Sequence, residues 1–144
     1  MKNAFKLTAL FLLVTLSFTS CNKSDDNGVT TSGNIVGKWI FFKEGTLVNG
    51  QEVLTDYQHE AGCGKNNIEY KANGISTYTE YNPNCVVSMF NGTYTKNGDT
   101  LVVIDGGYTI TYTILQLDST TLKVKYTDTF EGTTTTFVEI YTKG

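Results

Sequence analysis

Three cysteines, one histidine and a few carboxylates are the side chains of this sequence with chemistry to offer. Cys21 ends an apolar run in "LSFTSCNKSDDNG", Cys63 lies in "HEAGCGKNN" and Cys85 in "YNPNCVV". His59 stands four residues before Cys63, so His59, Cys63 and Cys85 present three zinc donors, provided the thiols stay reduced and a fourth ligand is found. Glu69 and Glu80 are the carboxylates nearest an acid/base arrangement, and a solvated strand face explains them more simply. No serine sits in a nucleophile-elbow context, and the single histidine neighbours Glu60 in a loop. The sequence therefore assigns no catalytic residue, no metal and no cofactor, and it reads as non-enzymatic.

What the cysteines do depends on compartment. Lys2 and Lys6 precede "LTALFLLVTL", which is apolar but for two threonines, and the small residues Ser17, Thr19 and Ser20 follow. A basic segment, an apolar segment and a cleavage zone make a secretory signal over residues 1–20. A membrane-spanning helix would need about 20 apolar residues, roughly twice this run. "SFTSC" resembles the lipobox of bacterial lipoproteins, in which the cysteine is acylated and becomes the first mature residue. It departs from the strict form at Phe18, where leucine is usual. "NKSDDN" resembles the acidic tract that marks some Gram-negative lipoproteins for the cell surface. The resemblance implies lipidation at Cys21 and attachment to outer-membrane lipid, at the cell surface or on the periplasmic face; the competing reading is an ordinary cleaved signal that leaves a free thiol.

Residues 21–34 then form a lipidated cysteine and an acidic tether, and a coil of about 12 residues spans roughly 20 Å. Without the leader the chain keeps nine lysines and no arginine against 14 carboxylates, a net charge of −5. Phosphate backbones and anionic lipid surfaces are both repelled, so nucleic acid is not a partner and membrane attachment has to come from acyl chains. Each buried methylene of such a chain contributes about 0.8 kcal/mol.

From residue 35 to 144 the composition turns to threonine, tyrosine, valine and isoleucine, with one proline and no 3.6-residue apolar period. Turn signals at Asn73-Gly74, Asn82-Pro83-Asn84, Asn97-Gly98, Gly106-Gly107, Asp118-Ser119 and Glu131-Gly132 divide the segment, and the Asn-Gly pairs suit type I′ hairpin turns. They predict eight strands, near 36–43, 66–72, 75–81, 87–96, 100–105, 108–117, 120–130 and 133–142. In "TLKVKYTDTF" Leu122, Val124, Tyr126 and Phe130 share one face, while Lys123, Lys125, Thr127 and Thr129 share the other. Eight antiparallel strands joined by short turns make an up-and-down meander that removes its edges by closing into a small barrel. A lipid-embedded barrel would need longer strands with the apolar band outside. Residues 44–64, "EGTLVNGQEVLTDYQHEAGCG", read as the longest loop.

Pairing the strands on either side of Asn73-Gly74 brings Cys63 and Cys85 opposite each other at the open end of that hairpin. With Cys21 taken by lipid, they form an even pair in an oxidising compartment, where a disulfide is expected.

"NIVGKWIFF", with Gly37 and Trp39 at the start of the first strand, resembles the Gly-x-Trp signature of lipocalins, in which the tryptophan packs across the closed end of the barrel. The order of the later hairpins, "NGTYTKNGDTLVV" and "ITYTILQLDSTTLKVKY", is similar to the lipocalin-like domains of bacterial surface lipoproteins over roughly residues 35–143. Lipocalins usually lay an arginine over that tryptophan. This chain has none, leaving Lys143, Lys123 or Lys125 to substitute. The resemblance implies a cup for a small hydrophobic or aromatic ligand, with Trp39, Phe41, Tyr70, Phe90, Tyr112, Tyr126 and Phe137 as its candidate lining. The same seven side chains could instead fill the interior. In that case Thr- and Tyr-rich strands or the 44–64 loop would meet a surface protein or glycan.

Overall fold

A computed structural model describes residues 31–144. The leader, Cys21 and the acidic part of the tether lie outside the described residues. The alternating sequence forms nine strands: β1 (Gly37–Val48), β2 (Gln51–Asp56), β3 (Asn67–Tyr70), β4 (Ile75–Asn82), β5 (Val86–Asn97), β6 (Thr100–Asp105), β7 (Tyr108–Leu117), β8 (Thr121–Phe130) and β9 (Thr133–Lys143). All pairings are antiparallel. β3 to β9 follow one another as a meander, and β1 pairs with both β3 and β9, so eight strands close into a barrel.

The ninth strand corrects the sequence reading. Residues 44–56 are not loop: β1 runs on to Val48, turns at Asn49-Gly50 with φ of 51° and 78°, and returns as β2. Positive φ at both central residues is the type I′ condition, and Asn-Gly meets it at low cost. Asn73 and Asn97 keep negative φ; among the described residues the paired positive φ values recur at Asn84-Cys85, Gly106-Gly107 and Glu131-Gly132. β2 lengthens the wall where β3 stops, since Gly37–Ile40 face β3 and Lys43–Val48 face β2 along the same edge of β1. A side chain at Gly45 would run into the Val53 carbonyl, so the missing Cβ allows β2 to fold close over the outer surface. There Glu52 reaches Lys123 of β8 at 2.7 Å. Val138, an outward residue of β9, is fully buried in the same region.

The core occupies one end. Trp39, Leu101, Ile114, Leu117, Leu122 and Val124 are at most 1% exposed, with Ile35, Tyr70 and Tyr141 beside them. The turns Lys71–Gly74 and Asp118–Thr120 close this end, and the chain is already attached to it at Gly33, whose N–H donates to the Leu117 carbonyl at 3.1 Å. Threonines of β8 and β9 face outward in pairs, Thr127 with Thr136 and Thr129 with Thr134. Apolar inside and hydroxyl outside is the reverse of a lipid-embedded barrel. Among the described residues no helix is long and apolar enough to cross a membrane.

Candidate functional site

At the closed end the first strand begins with a three-residue device. Trp39 is fully buried and its indole N–H donates to the Ile35 carbonyl at 2.6 Å. The ladder sets Trp39 opposite Lys143 on β9, and the Lys143 ammonium lies 4.2 Å from the centre of the indole ring while donating to the Val36 carbonyl at 2.8 Å. Burial holds the Lys143 pKa below its ordinary value. Lys143, rather than Lys123 or Lys125, thus covers the tryptophan. Gly37 makes this possible: its φ is +126°, and a Cβ there would stand 2.6 Å from the Lys143 nitrogen. The Gly-x-Trp spacing has a local physical reason, since one residue removes the obstacle and the next but one supplies the ring.

Opposite this end, residues 57–66 are fastened at several points. Cys63 and Cys85 form a disulfide with a Cα–Cα distance of 5.2 Å, which consumes both thiolates a zinc site would need. His59 accepts the Asn66 N–H at Nδ1, 3.1 Å away, so its Nε2–H donates to the Phe41 carbonyl at 2.9 Å. The Tyr57 N–H donates to the carbonyl of Phe42, the residue of the β1 bulge. The histidine is therefore a strut between this segment and β1. Glu69 lies opposite Thr77 in the β3–β4 ladder, and Glu80 is three residues beyond Thr77. An odd separation along a strand sends the two carboxylates to opposite faces, so they are not an acid/base couple.

The other end of the barrel is a cup. Inward rings line its walls in contact: Phe41 meets Tyr57, Tyr78 and Tyr141 at 4.7, 5.7 and 4.6 Å between centroids, Tyr78 stacks on Phe90 at 5.9 Å, and Tyr126 lies between Tyr112 and Phe137 at 5.2 and 5.1 Å. A cavity of about 280 Å³ opens among residues 44–46 of β1, Tyr126 of β8 and residues 137–139 of β9. Beside it β7 and β8 part: their ladder ends at Thr113 and Lys125, and a second opening lies between Tyr108–Thr111 and Tyr126–Asp128. Tyr126 borders both.

Glu139 is the polar centre of the cup. Its neighbours on β9 are Phe137 and Tyr141, both inward, and the register sets it opposite Glu44 of β1. The Tyr141 hydroxyl donates to its carboxylate. Burial, joined by the charge of Glu44, raises the Glu139 pKa, and the Tyr141 hydrogen bond only partly opposes the shift. The surrounding tyrosines respond in turn. Burial and then the Glu139 charge push Tyr126 up to about 12, and burial foremost raises Tyr70, Tyr112 and Tyr141 as well, so all four stay neutral hydroxyls at physiological pH.

The architecture is an antiparallel eight-stranded barrel with a tryptophan buried at one end and aromatic side chains around the other. The lipocalin-like domain family matches residues 35–124, well over half of the chain, and the chain belongs to that family. Among curated proteins no sequence matches it. Solved structures agree on the fold. A lipocalin-like protein from Bacteroides uniformis superposes with a TM-score of 0.55 at 16% identity, over 78% of this chain and 100% of that one. An uncharacterised protein from Bacteroides eggerthii gives 0.54 at 12% identity, over 77% and 100%. Lobster apocrustacyanin A1 gives 0.53 at 18% identity, covering 76% of this chain and 61% of that one.

The candidate lining of the sequence reading divides between the two ends. Tyr126 and Phe137 line the cavity; Tyr112 meets Tyr126 and, like Phe41, packs against the core; Phe90 stacks on Tyr78 away from the cavity lining; Trp39 and Tyr70 are packed in the closed-end core. The residues missed are Glu44 and Glu139. Glu139 was within reach, because Phe137, Glu139 and Tyr141 share a face by simple alternation. Glu44 was hidden by the bulge at Phe42, which shifts the inward phase of β1 by one residue.

Proposed function

We propose that this chain is a lipoprotein anchored in outer-membrane lipid through acylated Cys21, whose barrel is a non-catalytic binding module for a small hydrophobic or aromatic molecule. The observation carrying the binding role is the cavity of about 280 Å³ beside Tyr126 and Phe137, at the end of the barrel that the core leaves unfilled. Concave, largely apolar sites with a few fixed polar groups are where proteins take small ligands, and barrel mouths are a usual location. Membership of the lipocalin-like family agrees with that use. The anchoring rests on the signal-like leader and the cysteine that ends it.

Native mass spectrometry of the chain purified from cell envelopes tests the binding role. A co-purifying mass of a few hundred daltons that leaves on denaturation is expected; a ligand-free chain with a collapsed interior at high resolution would turn the reading to its alternative. That alternative, a surface domain for a protein or glycan, draws support from the apolar rim of the mouth, where Met89, Tyr108 and Phe130 are 65%, 80% and 75% exposed. For the anchor, a palmitate analogue fed to cells should label the wild type and leave Cys21→Ala unlabelled; label on both or neither would refute it. Protease added to intact cells distinguishes the cell surface from the periplasmic face.

A further inference from the structure

Among the described residues, two carboxylates at the cup have no basic partner beside them. Glu44 and Glu139 face each other across the β1–β9 ladder, and no residue lining the cavity is basic. Of the lysines on the flanking strands, Lys43 pairs with Asp56 at 2.9 Å, Lys123 pairs with Glu52 at 2.7 Å, and Lys125 does not line the cavity. Placing one carboxylate inside a barrel and a second at its mouth costs free energy, because burial and like charge both disfavour the anion. A packed interior gains nothing from such a pair; a site for a cation does. The rings complete the arrangement, since Tyr126 and Phe137 stack side by side along the cavity and Tyr112 meets Tyr126 edge to face. Aromatic faces attract ammonium groups, the more strongly once water is excluded. The net negative charge of the chain, −3 even with the leader included, favours approach of a cation as well.

We infer that the cup takes an organic cation, an alkyl or arylalkyl ammonium whose charged end lies between Glu44 and Glu139 and whose apolar body rests on Tyr126 and Phe137. This rests on the reading of the cup as a ligand site and names the class of ligand. The cavity limits its size: about 280 Å³ equals the liquid volume of roughly nine waters, which suits a compact molecule and excludes a long acyl chain lying wholly inside. Tyr141 acts as a positioning residue, because its hydroxyl holds the Glu139 carboxylate. The groups facing Glu139 are Glu44 on β1, Tyr70 on β3, Tyr112 on β7, Tyr126 on β8 and Tyr141 on β9, and the tyrosines stay neutral in the working range. Against those neutral tyrosines, the raised pKa of Glu139 sets the pH response. Cation affinity should fall on acidification through a midpoint above the ordinary carboxylate range, while affinity for a neutral analogue stays level.

Three probes of one shape test this on the full-length chain: 3-phenylpropylamine, 3-phenylpropanol and 3-phenylpropanoate, titrated at neutral pH by NMR chemical-shift mapping. The amine should bind at least tenfold more tightly than the alcohol, and the acid most weakly. Glu139→Gln should remove most of that preference. Glu44→Gln, at an exposed position where folding is not at risk, should reduce it in part. Equal binding of amine and alcohol, or a preference that survives in both variants, overturns the inference while leaving the cup a ligand site. If neither the probes nor a neutral dye such as N-phenyl-1-naphthylamine bind, the ligand reading itself fails.

Discussion

A methyl group at Gly37 would meet the Lys143 ammonium at 2.6 Å and would require a φ of +126° from an L side chain. The lysine can swing away; the backbone cannot. Gly37→Ala should therefore cost about 1–3 kcal/mol from the backbone alone, plus the cation–π contact, worth roughly 0.5–2 kcal/mol. In a Lys143→Ala background the second part vanishes and the first remains. Urea denaturation of the two single variants and the double variant separates them, and equal costs of Gly37→Ala in both backgrounds would show that the lysine contributes nothing. Trp39 and Gly37 were legible in the sequence because their types are distinctive. Which of three lysines covers the ring was not, because only the register that sets Trp39 opposite Lys143 chooses among them. Glu139 carries the opposite sign of effect. Its raised pKa means that the folded chain takes up a proton more readily than the unfolded one, so its contribution to stability is present at low pH and lost as pH rises through the folded pKa. Glu139→Gln, which still accepts the Tyr141 hydrogen bond, should be the more stable protein at neutral pH, by on the order of 1 kcal/mol. The gap should close as pH falls toward 4. Thermal melts across that range check it, and a wild type more stable than the variant at pH 7 would refute it.

Among the elements, the segment from Tyr57 to Asn66 has little regular structure and depends on its attachments. The disulfide closes a loop of 22 residues between Cys63 and Cys85, holding this segment to the tight turn at Pro83–Cys85. Loop entropy gives such a bridge about 3 kcal/mol. A Cys63→Ser, Cys85→Ser variant should lose about that amount in denaturant titrations and gain protease sensitivity first between β2 and β3, because the closed-end core lies elsewhere. Loss of the barrel as a whole at an unchanged cleavage pattern would contradict this. Seven of the nine strands could be read from alternation and turn residues, and β1 was recognised but ended early. β2 escaped because its burial pattern does not alternate: it lies over the outside of the barrel with five of its six residues exposed. The signal that marked it was present in Asn49-Gly50, flanked by "TLV" and "EVL". The Asn-Gly pairs at 73–74 and 97–98 divide strands, and this one divides β1 from β2 in the same way. Turn chemistry marks this hairpin where face periodicity does not.

For the whole molecule, the two ends have different tasks. The N-terminal segment joins the barrel at the closed end, through Gly33 on Leu117 and Ile35 in the core, whereas the cavity and the exposed Tyr108 and Phe130 are at the other. A chain held by lipid at Cys21 would therefore present its closed end to the membrane and its mouth away from it. β8 has ten residues and rises about 30 Å along its axis, or roughly 23 Å along a barrel axis to which strands are tilted by some 40°. An anchor at Cys21 would thus hold the closed end nearer the bilayer than the mouth. Donor dyes at Ser119→Cys, in the closed-end turn, and at Thr133→Cys, beside the mouth, should report this on the lipidated protein in vesicles with acceptor-labelled headgroups. Energy transfer from Ser119 should clearly exceed that from Thr133. Equal transfer, or the reverse order, would mean that the mouth lies against the lipid and draws its ligands from the bilayer. A mouth turned outward would take molecules from the aqueous side, and a carboxylate pair among aromatic rings would there capture a soluble cation that a wholly apolar cup would leave in water.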